Sequence, residues 1–157
     1  MGNTFKSLDA LMGSIKKKID NALENEVAEI VKETEQQSAI YEVYAAYEPK
    51  MYERRGGDGG LGDMENMVST VSGGTLTVTN ETSFNSGYGT SNSGSNLDEL
   101  VEYGDGGGGH HYDYPDRGFY QPRPFIQKTE ESLAAGGCAI PKAALEIGLE
   151  RQGIRVK

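Results

Sequence analysis

With 157 residues, 15 basic and 24 acidic side chains, the chain is sized for a single domain, residues 1–157, of net charge −9. That sign leaves no excess of cations to displace counterions from phosphate, which argues against nucleic-acid binding. Leu, Ile, Val and Phe together fill 30 positions, about 19% and at the edge of disordered composition, so the chain reads as a component whose core is modest.

Other classes fall on simple grounds. The longest apolar run is far short of the roughly 20 residues that a membrane span requires, and no membrane partner is expected. The first residues lack the apolar core of a secretory signal. Lys6 stands where a myristoylation start wants Ser or Thr. Cys138 is the only cysteine, which excludes an internal disulfide and a cysteine-based zinc cluster. Production and use in a cytosol are expected.

Charge and glycine are unevenly placed. Residues 56–118 hold 1 basic and 10 acidic side chains and 16 of the 22 glycines. The ends therefore read as scaffold and the middle as loops. Phe5, Leu8, Met12, Ile15, Ile19, Leu23, Val27 and Ile30 recur at steps of three or four, predicting a helix from about Phe5 to Gln37 with one apolar stripe. Lys16-Lys17-Lys18 and Glu24, Glu26, Glu29 and Glu33 belong to its solvated side. Tyr41, Val43, Ala45 and Tyr47 alternate toward Pro49, which reads as an extended segment.

Met64 to Asn80 predicts a hairpin. Thr75 to Thr79 alternate, Gly73-Gly74 supply a two-residue turn, and Val71 falls opposite Leu76. Residues 81–96 and 104–118 read as flexible loops, the first rich in Ser, Asn and Gly, the second containing Gly106 to Gly109. Between them Ser95 and Asp98 resemble a helix-start box for a short helix Leu97–Tyr103 stopped by Gly104. Pro124 opens a helix with Phe125, Ile126, Thr129 and Leu133 on one side, and Gly136-Gly137 end it. Pro141 opens another helix carrying Leu145 and Leu149, ended by Gly153, with Ile154 and Val156 in a terminal strand. The sum is an α+β layout: long N-terminal helix, β-hairpin, C-terminal helices and Gly-rich loops.

Candidate chemistry is sparse. The block from Gly56 to Asp63 lacks the Lys-Ser/Thr pair of a phosphate loop and the ligand spacing of a calcium loop, so it reads as a chain reversal. His110, His111 and Asp113 are the one cluster of potential metal ligands, but adjacent histidines after four glycines are poorly preorganised. Neither the serines nor Cys138 sits in a nucleophile signature, and no catalytic residue, metal or cofactor is expected. Arg54-Arg55 and Arg123 flank the acidic middle. They are suited either to an intrachain carboxylate such as Glu102 or Asp63, or to a neighbouring subunit.

Read in order, Tyr52-Glu53-Arg54-Arg55, Gly59-Gly60-Leu61-Gly62-Asp63, Val101-Glu102-Tyr103-Gly104 and Arg123-Pro124-Phe125-Ile126 resemble the tail-completion or neck proteins of long-tailed double-stranded-DNA bacteriophages, particularly those of Gram-positive hosts. That pattern is a long helix, a Gly-Leu turn entering a hairpin, a Val-Glu-x-Gly element and a Pro-Phe helix. The ending Leu149-Glu150-Arg151-Gln152-Gly153-Ile154 is similar as well. The Ser/Asn/Gly loop and the His110-His111 insertion lie outside the pattern.

The resemblance implies a non-enzymatic virion subunit, assembled in the host cytoplasm. It would form a homo-oligomeric ring, six-fold in the family, between the head connector or stopper and the tail tube or terminator. DNA would pass through the lumen without specific binding, and acidic loops would repel it. Arg54, Arg55, Leu61, Glu102, Arg123 and Phe125 are the candidate interface residues. Two alternatives stand beside this: another virion role (head-stopper, minor capsid or tail-tube-associated protein), and a small metal-dependent hydrolase using His110, His111 and Asp113.

Overall fold

The computed structural model describes residues 6–46, 59–83, 96–104 and 122–155. Phe5, Tyr47, Pro49, Arg54, Arg55, Gly56, Ser95, His110, His111, Asp113 and Val156, and most of the two loops read at 81–96 and 104–118, lie outside the described residues.

The N-terminal helix begins one turn later than its apolar stripe and ends one turn beyond the start of the segment read as extended. Ser7 caps it, its hydroxyl accepting from the Ala10 N–H at 3.2 Å. Helix α1 (Leu8–Ala22) passes through a wide π turn (Leu23–Val27) into α2 (Ala28–Ser38), then a second π turn (Ala39–Tyr44). The extended reading of residues 41–47 is thus corrected over Tyr41 to Tyr44. Ala39 and Val43, four apart on one helical face, are both buried, and that periodicity outweighs the local alternation.

The first π turn also moves the stripe. A π turn inserts an extra residue into the helical phase, and the buried line becomes Ala22, Val27, Ala28, Glu35, Ser38, Ala39 and Val43. Leu8, Met12 and Ile15, upstream of that turn on the expected apolar stripe, are exposed.

The hairpin has the expected register. Strand β1 (Met67–Ser72) pairs antiparallel with β2 (Thr75–Asn80), and Val71 faces Leu76. Gly73 and Gly74 both have positive φ, 62° and 83°, the backbone that a two-residue turn of this twist demands. Burial grows toward the base, where Met67 pairs with Asn80 and both are enclosed. Positions 81–83 continue from β2 to meet the segment that opens the next helix. Ser83 bridges Asn96, and the Leu97 N–H reaches the Thr82 carbonyl at 2.7 Å.

Asn96, one residue after Ser95, occupies the N-cap position of helix α3 (Leu97–Tyr103), with no side-chain cap hydrogen bond. Helix α4 (Phe125–Ala134) packs on α2, and a short 3-10 turn (Ala135–Gly137) leads to α5 (Ala139–Arg151). Residues 152–155 form no strand. The Gly153 N–H bonds to Glu150 O at 2.9 Å and the Ile154 N–H to Leu149 O at 2.9 Å, a Schellman closure that consumes the donors a strand would need.

Ala39, Val43, Leu61, Val101 and Phe125 form the central core, with Tyr44, Leu97 and Ile126 against it. Leu61, Val101 and Phe125 come from three of the four motifs on which the resemblance rests, and those three contribute to one core. Helix α5 runs antiparallel to α1. Lys18 Nζ donates to Gln152 O at 2.6 Å, Gln152 Nε2 donates to Lys18 O at 2.9 Å, and Gly148 abuts Ala22 and Glu26.

Candidate functional site

The turn before the hairpin, residues 59–63, is held by side chains from several elements. Its three successive carbonyls each accept a side-chain hydrogen bond. Asn66 Nδ2 donates to Gly60 O at 3.2 Å, Asn80 Nδ2 to Leu61 O at 3.0 Å, and Gln36 Nε2 to Gly62 O at 2.6 Å. The Gly62 N–H donates to the Tyr44 hydroxyl at 2.9 Å. Asp63 closes the turn, its carboxylate accepting from the Glu65 N–H at 3.0 Å and the Gly59 N–H at 2.6 Å. Those two N–H groups, Glu65's first, hold the Asp63 carboxyl below its ordinary range. The chain reversal read from the glycines is therefore present over its described part, and four elements fix it.

Beneath it lies a buried polar network. Asn80 Nδ2 also donates to Glu35 Oε1 at 2.9 Å, and the Thr82 hydroxyl sits 2.6 Å from Asn80 Oδ1. Burial pushes the Glu35 carboxyl up; the Asn80 hydrogen bond opposes this, and the nearby charges of Asp98 and Glu102 add to it. Burial likewise raises Asp98, whose Oδ1 has no hydrogen-bond partner. Among the described residues no three His, Cys, Asp or Glu side chains are placed to hold a metal ion.

The expected contact residues separate into two groups. Leu61 and Phe125 lie in the chain's own core, Phe125 with 0% exposure, so their side chains pack within the subunit. Glu102 is also enclosed. Its Oε2 accepts from the Ile126 N–H at 2.8 Å and its Oε1 from the Gln127 N–H at 3.1 Å, capping the free end of α4. Both carboxylates considered as intrachain partners for the arginines, Glu102 and Asp63, thus hold backbone N–H groups. Arg123 is half-buried, and its own N–H donates to Val101 O at 2.9 Å, joining α3 to the entry of α4. Cys138 is exposed and occupies a left-handed backbone position, φ 61°, between the C-terminal helices.

Sequence reasoning missed Glu35, Gln36 and Asn80. Glu35 and Gln36 sit in a strongly acidic helix where the pattern assigns polar groups to solvent. The one available sign was an Asn ending a clean Thr/Val alternation.

The outer surface carries two contrasting features. The first is the apolar row Leu8, Met12 and Ile15 on α1, exposed by 69%, 59% and 40%. The second is an open groove of about 330 Å³, bordered by Glu24, Glu26, Glu29, Lys32, Met64 and Arg151. Across it Arg151 meets Glu26 at 3.0 Å.

Comparison with known proteins gives one consistent picture. Residues 7–149 match the model of the YomN family. The SPbeta prophage-derived protein YomN of Bacillus subtilis strain 168 is 28% identical over 158 residues, covering 99% of each chain. No solved structure matches.

Proposed function

The chain belongs to the YomN family, and from that premise we propose that it is a phage-encoded structural subunit of the virion neck, which completes the tail and joins it to the head. The observation that carries the proposal is the end-to-end alignment, over 99% of both chains, with a protein that is itself prophage-derived. The α+β order of long helix, Gly-Leu turn, hairpin and Pro-Phe helix supports the neck assignment within that setting.

In this role the chain is non-catalytic and takes no cofactor. It works as a homo-oligomeric ring between the head connector or stopper and the tail tube or terminator. Its net charge of −9 keeps passing DNA from adhering to the lumen. Arg54, Arg55 and Arg123 are then side chains for contacts between subunits, suited to bidentate carboxylate pairing.

Interrupting the gene in the phage that carries it, followed by electron microscopy of the lysate, tests the proposal. Filled heads beside separate, finished-length tails are the expected result, with the protein itself detected in purified wild-type virions. Normal infectious particles without the gene would overturn the assignment. Emptied heads would move the role to a head-stopper, and absent tails to a tail-tube-associated protein.

A further inference from the structure

We infer that the first turns of α1 form an arm that docks along the Glu24 and Glu29 edge of the groove of a second copy of this chain, head to tail. The inference rests on the proposed self-association and supplies its contact surfaces. Helix α5 ends where Gln152 meets Lys18 and runs antiparallel to α1, so the helix from Leu8 to Lys17 extends beyond it. Ten residues of α-helix reach about 15 Å. Leu8, Met12 and Ile15 share one face of that extension and are largely exposed.

Charge selects the occupant. From Leu8 to Lys17 the arm carries Lys16 and Lys17 against the single carboxylate of Asp9, net +1, in a chain of net −9. Lys16, one turn after Met12, borders the apolar row and is exposed. The groove carries Glu24, Glu26 and Glu29 against Lys32 and Arg151; Arg151 pairs with Glu26, which leaves Glu24 and Glu29 exposed at its edge, with Met64 half-buried beside them. Two arms pairing with each other would bring two Lys16-Lys17 pairs together. Arm into groove instead joins unlike surfaces, and made head to tail it is a heterologous contact that propagates into a ring or filament.

The test uses two full-length variants. One carries Lys16→Glu with Lys17→Glu, the other Glu24→Lys with Glu29→Lys, and native mass spectrometry reads the assembly state. Circular dichroism controls for folding, since all four side chains are exposed. Wild type is expected to assemble, and each variant alone to dissociate at concentrations at least about tenfold higher, as like charges across the contact predict. Mixing the two variants should restore assemblies with the two chains in equal number. Met12→Glu should weaken assembly and gain nothing from mixing. Variants that each assemble as well as wild type would overturn the arm contact and leave the ring standing. Wild type that stays monomeric at every concentration would overturn the ring and the arm together.

Discussion

The Asn80 side-chain amide donates to the Glu35 carboxylate at 2.9 Å, joining the last residue of β2 to the middle of α2 across 45 positions of sequence. The same nitrogen reaches the Leu61 carbonyl at 3.0 Å, so one side chain ties the hairpin, the helix and the turn. Replacing Asn80 with Ala strips the donor from two enclosed acceptors and removes the acceptor of the Thr82 N–H, while the Thr82 hydroxyl keeps the Gly60 carbonyl at 3.2 Å. Each enclosed polar group left unpaired costs about 1–3 kcal/mol. Asn80→Ala should therefore lose roughly 2–5 kcal/mol in urea unfolding, whereas Thr79→Ala next door, exposed, should lose under about 1 kcal/mol.

Glu35 makes stability depend on pH. Burial raises its carboxyl above the ordinary 4.5, so the folded chain keeps that proton to higher pH than the unfolded chain does. The resulting stability is complete below about pH 4.5 and falls as pH rises through the folded value. Glu35→Gln keeps an acceptor for Asn80 and removes the ionisation. Its melting temperature should exceed that of wild type at about pH 7, with the gap narrowing toward about pH 4.5. Asp98, raised above 3.8 by burial, leaves a residual slope of the same sign in the variant. A wider gap at low pH than at high would contradict the assignment.

Gly148 sets the distance between α5 and the N-terminal helix. A Cβ there would lie 2.7 Å from the Ala22 Cβ and 2.6 Å from a Glu26 carboxylate oxygen. The Glu26 side chain can swing away, but the Ala22 Cβ is fixed to its backbone. Overpacking costs about 1–3 kcal/mol, while Gly to Ala inside a helix returns about 1 kcal/mol. A net loss of about 1 kcal/mol is expected for Gly148→Ala, and a rise in melting temperature would show that the helices separate freely.

The Glu102 carboxylate covers two free N–H groups at the start of α4. Glu102→Ala should cost about 0.5–2 kcal/mol, the usual range for a lost cap. Amide exchange at Ile126 and Gln127 should quicken first, because those two N–H groups lose their acceptor. Unchanged exchange at both positions would place the cap elsewhere.

Local chemistry makes much of the fold legible in the amino-acid sequence. The register of Val71 on Leu76 follows from the two-residue glycine turn, and the ends of α3, α4 and α5 follow from Gly104, Gly136-Gly137 and Gly153. These features depend on backbone preferences and hydrogen bonds a few residues long, which the sequence states directly. The motifs at Leu61, Val101 and Phe125 are legible too, as parts of a resemblance, but by themselves they fit surface and core equally well.

Burial was decided elsewhere. The periodicity of α1 put Leu8, Met12 and Ile15 on one face, yet that face is exposed, since among the described residues α5 stops opposite Lys18. Tyr41 to Tyr44 continue the helix because Ala39 and Val43 meet Leu61, Val101 and Phe125, residues distant in the chain. Glu35 is enclosed because Asn80 arrives from the hairpin to accompany it. A sequence states which side chains share a face. Which faces are covered depends on where other segments end, and only the tertiary structure supplies that.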